Sequence, residues 1–163
     1  MYKTKLNRIQ NLIEKIKNDI TLPLISDFLD WFLEKLDIHF NKNTPSLKLN
    51  KWEIYFVKLG QNIWWELNKE RPCIIYSDKK YNWWNTVLII PLKSYKGKIN
   101  NYFNTFIKSE NNELKKDSIA DLWAIRQISK KRILTKAWKI NEKDLEKIDK
   151  KLIKILWIKN REK

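Results

Sequence analysis

The first forty residues place apolar side chains at helical spacing. Leu6, Ile9, Leu12, Ile13, Ile16 and Ile20 predict an amphipathic helix over residues 4–20. Thr21 is placed to cap a second helix, with Pro23 in its first turn and a stripe of Leu24, Phe28, Trp31, Phe32, Leu36 and Phe40. Residues 1–41 therefore read as a helical hairpin whose stripes must bury against the main domain, a second copy or a partner, with simple packing on the main domain as the expectation. Residues 42–49 are polar and turn-rich, as a linker is.

From residue 50 the period shortens. Runs at 52–57, 71–76, 87–92, 102–107, 118–128 and 134–140 are rich in β-branched and aromatic residues and predict five or six short strands. Cys73–Tyr76 and Val87–Pro91 are continuously apolar, which suits strands buried on both faces, and Asp78, Lys79, Lys80 and Asn82 supply the turn between them. A last helix begins at Asn141, with Asp144 three residues on as in a capping box. Leu145, Ile148, Leu152, Ile155 and Leu156 form its apolar face, and Lys143, Lys147, Lys150, Lys151 and Lys154 read as a solvated one. The expected fold is mainly β with α: a small barrel over 50–158 with a C-terminal helix, preceded by the hairpin and followed by a basic tail, 159–163.

Composition narrows the function. The 163 residues suit one domain with an appendage. No run of 18 apolar residues exists, the N-terminus is charged throughout, and the single cysteine, Cys73, has no partner for an internal disulfide. A cytoplasmic protein without a membrane span is expected. The net charge of +15 suits a polyanion. Of the 34 basic residues 29 are lysine, so an AT-rich coding sequence explains the excess equally well, and an acidic protein partner would use the same surface. His39 is the only histidine, and neither a Cys/His metal cluster nor a Gly-rich phosphate loop is present. At the mouth of the hairpin stand Arg71, Lys93 and Ser94, a guanidinium, an ammonium and a hydroxyl suited to a nucleic-acid backbone.

Nine tryptophans accompany only two glycines. A chain of this length ordinarily carries about 7% glycine. Trp52, Trp64, Trp65, Trp83, Trp84, Trp123, Trp138 and Trp157 are read as UGA codons that specify glycine in the source organism, several of them lying where turn or helix-stop chemistry favours it; Trp31, on an apolar helix face, stays. If the rings are real, exposed ones would stack on bases or sugars.

An ordered set of short motifs resembles the MazF/PemK toxin family. Glu53-Ile54-Tyr55-Phe56, Leu59-Gly60-Gln61-Asn62-Ile63, Glu66, Arg71-Pro72, Ile90-Pro91-Leu92-Lys93-Ser94 and Ile125 to Arg132 follow the family order, with Trp52 and Trp64 standing at family glycines. The resemblance implies an SH3-like barrel acting as a homodimer, and an endoribonuclease that cuts single-stranded mRNA at short sequences. It also implies no cofactor and no metal: the RNA 2′-hydroxyl attacks the adjacent phosphate, leaving a cyclic phosphate and a 5′-hydroxyl, and a cognate antitoxin protein blocks the RNA groove. Arg71 matches the catalytic arginine. Lys93 stands where the family has a catalytic threonine, with Ser94 next, and Asp121 lies about two positions from an acidic residue that serves in proton transfer in some relatives. Arg126, Lys69, Lys79 and Lys96 are RNA-binding candidates, and Arg132 is structural or RNA-positioning. Lys93 in place of threonine favours an alternative, a non-catalytic SH3-like module that binds RNA or protein.

Overall fold

The computed structural model describes residues 2–16, 22–41, 47–62, 67–82, 84–112 and 114–157. It divides into two compact units, 1–41 and 42–163. The first holds α1 (Tyr2–Ile16) and α2 (Leu22–Phe40). The Thr21 cap falls outside the described residues. Within this unit Leu6, Ile9 and Leu12 of α1 and Phe28, Phe32 and Phe40 of α2 are exposed, and Trp31 is partly buried. No helix among the described residues is long and apolar enough to cross a membrane.

The second unit is an antiparallel sheet of β1 (Glu53–Gly60), β2 (Lys69–Ile75), β3 (Thr86–Ser94), β4 (Asn104–Ile107), β5 (Ser118–Asp121), β6 (Arg126–Ser129) and β7 (Ile133–Lys139), closed by α3 (Glu142–Ile155). The strand order is β4-β5-β3-β2-β1-β7, with β6 also on β3. The expected barrel therefore stays open, since no ladder joins β4 to β7 among the described residues. The reason lies in β3. Its residues 86–91 pair with β6 and β2, whereas Leu92, Lys93 and Ser94 pair with β5, so the sheet parts at Leu92. The single strand expected over 118–128 is two strands around a helical turn at Leu122–Ala124, pinned by the Leu122 N–H donating to the Phe103 carbonyl at 3.0 Å.

Alternation along β1, β2 and β3 feeds two cores. Tyr55, Val57, Cys73, Ile75, Val87 and Ile89 pack on one face. Ile54, Ile74, Ile90 and Leu92 pack on the other, against Leu145, Ile148 and Leu152 of α3. This explains why β2 and β3 read as continuously apolar. The Tyr76 hydroxyl donates to Asp149 at 2.5 Å and fastens α3 to the sheet. Asn141 caps α3 as expected, its side chain accepting from the Asp144 N–H at 2.8 Å.

Candidate active site

The site begins at the connection between β1 and β2. Gly60 takes φ +78° where β1 and β2 slip register, a left-handed turn that glycine enters without strain. Asn62 then staples the loop: its N–H donates to the Asn68 side-chain oxygen at 2.8 Å, and its amide donates to the Leu67 carbonyl at 2.7 Å. Three arginines bond the same short stretch of backbone. Arg71 Nε donates to the Asn68 carbonyl at 2.8 Å, an Arg126 terminal nitrogen to the Leu67 carbonyl at 3.2 Å, and Arg132 Nε to the Lys58 carbonyl at 2.7 Å. Arg132 also donates to the Leu59 carbonyl. These bonds fix the guanidinium planes. The two terminal nitrogens of Arg71 have no partner among the described residues, and a guanidinium fork of this kind matches an anion.

Cys73 lies among these charges. Burial pushes its thiol up to about 12, with Arg126, Arg71 and Arg132 pulling the other way. A buried thiol held neutral is a core side chain, not a nucleophile.

Lys93 and Asp121 form the second part. The Lys93 ammonium is ion-paired to the Asp121 carboxylate, which is buried while the lysine remains about a third exposed. The second carboxylate oxygen, Oδ1, is buried with no hydrogen-bond partner. Asn104, the register partner of Asp121, carries another buried oxygen without a partner. Buried acceptors left without donors are costly in a folded protein, and both of these, unpartnered among the described residues, stand on paired positions of β4 and β5.

Register joins the two parts. The β2–β3 ladder pairs Ile75 with Ile89, Ile74 with Ile90 and Cys73 with Pro91. The same count sets Arg71 level with Lys93, on strand ends that diverge. Alternation puts Arg71 on the Cys73 face of β2 and Lys93 on the Ile89 face of β3, which is one face of the sheet. Pairing of Lys93 with Ile119 and of Leu92 with Ala120 keeps Asp121 on that face too. Ser94 falls on the opposite face at the exposed strand end. Lys69, exposed at φ +65°, opens β2 beside Arg71, and Lys96 follows β3 in an exposed loop. Lys79 lies in a helical turn at the far end of β2, away from Arg71. Among the described residues no three His, Cys, Asp or Glu side chains gather as metal ligands.

A family model described as PemK-like, MazF-like toxin of type II toxin-antitoxin system matches residues 50–156, more than half of the chain. The chain belongs to this family. Solved structures of the same fold include MazF from Deinococcus radiodurans, 13% identical, with a TM-score of 0.60 over 69% of this chain and 100% of that one. An endoribonuclease in complex with its cognate antitoxin from a mycobacterial species is 14% identical, with a TM-score of 0.55 over 68% and 97% of the two chains. The Mycobacterium tuberculosis toxin MazF-mt6 is 12% identical, with a TM-score of 0.52 over 66% and 98%. A comparison with curated proteins gives no match. The family match begins after the N-terminal helices, so α1 and α2 are additions to the shared domain.

Asn104 was not legible as a site residue in the sequence. It has no motif around it, and only the β4–β5 pairing brings it to Asp121.

Proposed function

We propose that this chain is the toxin of a type II toxin–antitoxin pair and a sequence-specific endoribonuclease of single-stranded RNA that needs no metal. The carrying observation is the gathering of Arg71, Lys93 and Asp121 on one face of the sheet, with the Arg71 fork and one Asp121 oxygen unpartnered among the described residues. A phosphodiester bound between Arg71 and Lys93 gains negative charge as it becomes pentavalent, and fixed cations stabilise that state more than the ground state. The attacking 2′-hydroxyl needs a proton acceptor, and Asp121 Oδ1 is one. The leaving 5′-oxygen needs a proton, and the Lys93 ammonium supplies it. The two groups are bonded to each other, so the proton gained by Asp121 returns to Lys93 and the site is reset. A cyclic phosphate and a 5′-hydroxyl result.

The family resemblance extends the proposal to a homodimer in the cytoplasm, held in check by a cognate antitoxin that covers the cationic face. The mycobacterial relative in complex with its antitoxin supports that pairing. The test is incubation of the full chain with single-stranded RNA in EDTA. Cuts ending in a cyclic phosphate are expected, and Arg71→Ala is expected to slow them by roughly 10²–10³-fold, as loss of one oxyanion donor does. Intact RNA would overturn cleavage. The tie between Lys93 and Asp121 at the place of the family threonine favours one second reading, RNA binding without cutting, which intact but retained RNA would support.

A further inference from the structure

Away from the Arg71 face, a cavity of about 460 Å³ opens between the edge strand β4 and α3. Its size is that of a small-molecule site. Lys147, Lys150, Lys151 and Lys154 line it, at spacings of three, one and three that put them on one face of the helix. Lys147 pairs with Asp144 at 2.6 Å and Lys150 with Glu146 at 3.4 Å. Lys151 donates to the Asn104 carbonyl at 2.5 Å, and among the described residues no carboxylate pairs with Lys154.

The opposite wall is β4. Thr105 lines the cavity on the side of the strand that faces α3, the side of Ile107. Thr105 is 4% exposed, yet its hydroxyl has no hydrogen-bond partner among the described residues. A buried hydroxyl without a partner is destabilising unless a ligand satisfies it. Ile99 and Phe106 add an apolar margin.

We propose that this cavity is a nucleotide-phosphate site: the phosphate rests between Lys151, Lys154 and the Thr105 hydroxyl, and the base lies over Ile99. Burial, and then the neighbouring Lys154 charge, hold the Lys151 ammonium below its ordinary value. An anion between the two lysines removes that repulsion. The phosphate has two possible sources, a link of an RNA chain or a free nucleoside diphosphate. Only the RNA source rests on the endoribonuclease reading.

The test uses the full chain carrying Arg71→Ala, so that substrate is not consumed at the cleavage face. Uridine 5′-diphosphate and a 2′-O-methyl tetranucleotide are titrated calorimetrically. Saturable binding of one or both is expected, weakened roughly tenfold by Lys154→Ala on the exposed side of α3. Thr105→Val keeps the shape, removes the hydroxyl, and is expected to weaken binding several-fold. A preference for the tetranucleotide identifies an RNA link, and a preference for the diphosphate a free nucleotide. Absence of saturation by either probe at about 1 mM, a Kd at which binding is only about 4 kcal/mol, or equal affinity in the lysine variant, overturns the site. RNA cleavage in EDTA by the chain with native Arg71 reports on the endoribonuclease reading separately.

Discussion

Trp52 carries a backbone conformation that its side chain resists. It sits at φ +83°, its N–H donating to the Ile75 carbonyl at 2.8 Å and its carbonyl accepting from Ile140 at 2.9 Å, so the surrounding ladder holds it there. A left-handed non-glycine costs about 1–3 kcal/mol, and the indole N–H is buried without a partner. Trp157 repeats the pattern at φ +53°, one residue past the C-cap of α3, where a glycine ordinarily stops a helix. Two of the three non-glycines at positive φ among the described residues are thus tryptophans that the sequence marks as glycine positions. The others divide. Trp84 and Trp123 are exposed without a left-handed backbone, Trp138 is half-buried against Phe56 at 5.9 Å, and Trp64, Trp65 and Trp83 lie outside the described residues. Trp52→Gly loses ring contacts but removes both penalties, and a net gain of about 1 kcal/mol is expected. That corresponds to a Tm rise of roughly 2–4 °C in a thermal melt. A fall in Tm would show the ring to be a native packing element. TGA codons at positions 52 and 157 in the gene are the matching genetic expectation.

At the scale of elements, α3 depends on a polar knot at its start. The Asn141 amide donates to the Asn111 carbonyl at 3.1 Å and to the Asn112 side-chain oxygen at 2.8 Å, while its own oxygen takes the Asp144 N–H. Asn112, 1% exposed, donates in turn to the Asp144 carboxylate at 2.8 Å. Asn141→Ala is therefore expected to cost about 2 kcal/mol, the upper end for a lost N-cap, because the link from the helix to the 109–112 turn goes with it. Urea unfolding of the two proteins gives the difference; a loss under about 0.5 kcal/mol would mean that the cap is dispensable. This helix, the β2–β3 hairpin and the two N-terminal helices were legible in the sequence, since each is set by local periodicity and capping. The break at Leu122–Ala124 was not, because it follows from a bond to Phe103, a neighbour only in the folded sheet. The site divides likewise. Alternation keeps face over two residues, which is why Asp121 reaches Lys93. The Arg71 and Arg126 bonds to the β1–β2 connection, the Asn104 oxygen and the cavity under the α3 lysines all need long-range pairing. The lysine spacing, read alone, gives only a charged helix face.

The whole molecule is basic, with a net charge of +15, and two of its buried carboxylates, Glu53 and Asp144, stand where that excess is put to structural use. Glu53 is buried; burial alone would raise its pKa, but bonds from Lys136 at 2.5 Å and from the Asn50 N–H at 3.0 Å outweigh it and hold the group below its ordinary value of 4.5. Asp144 behaves the same way, burial being outweighed by Lys147, Asn112 and Asn141, and lies below its ordinary 3.8. A carboxylate with a depressed folded pKa contributes stability above its unfolded pKa, and that contribution is lost as pH falls through the folded value. Both groups therefore act in the same direction. Stability from them is expected to be complete above about pH 5, to begin to fall near 4.5, and to be lost below the folded values. Glu53→Gln removes one titration while keeping the shape. The variant is expected to be less stable at neutral pH, where Lys136 and Asn50 lose their charged acceptor, and to show a flatter curve of urea midpoint against pH between about 5 and 3. Parallel curves for the two proteins would show that Glu53 does not couple protonation to folding. Of the two groups, Asp144, at the foot of α3, would then carry the acid dependence, through the same residues that cap the helix.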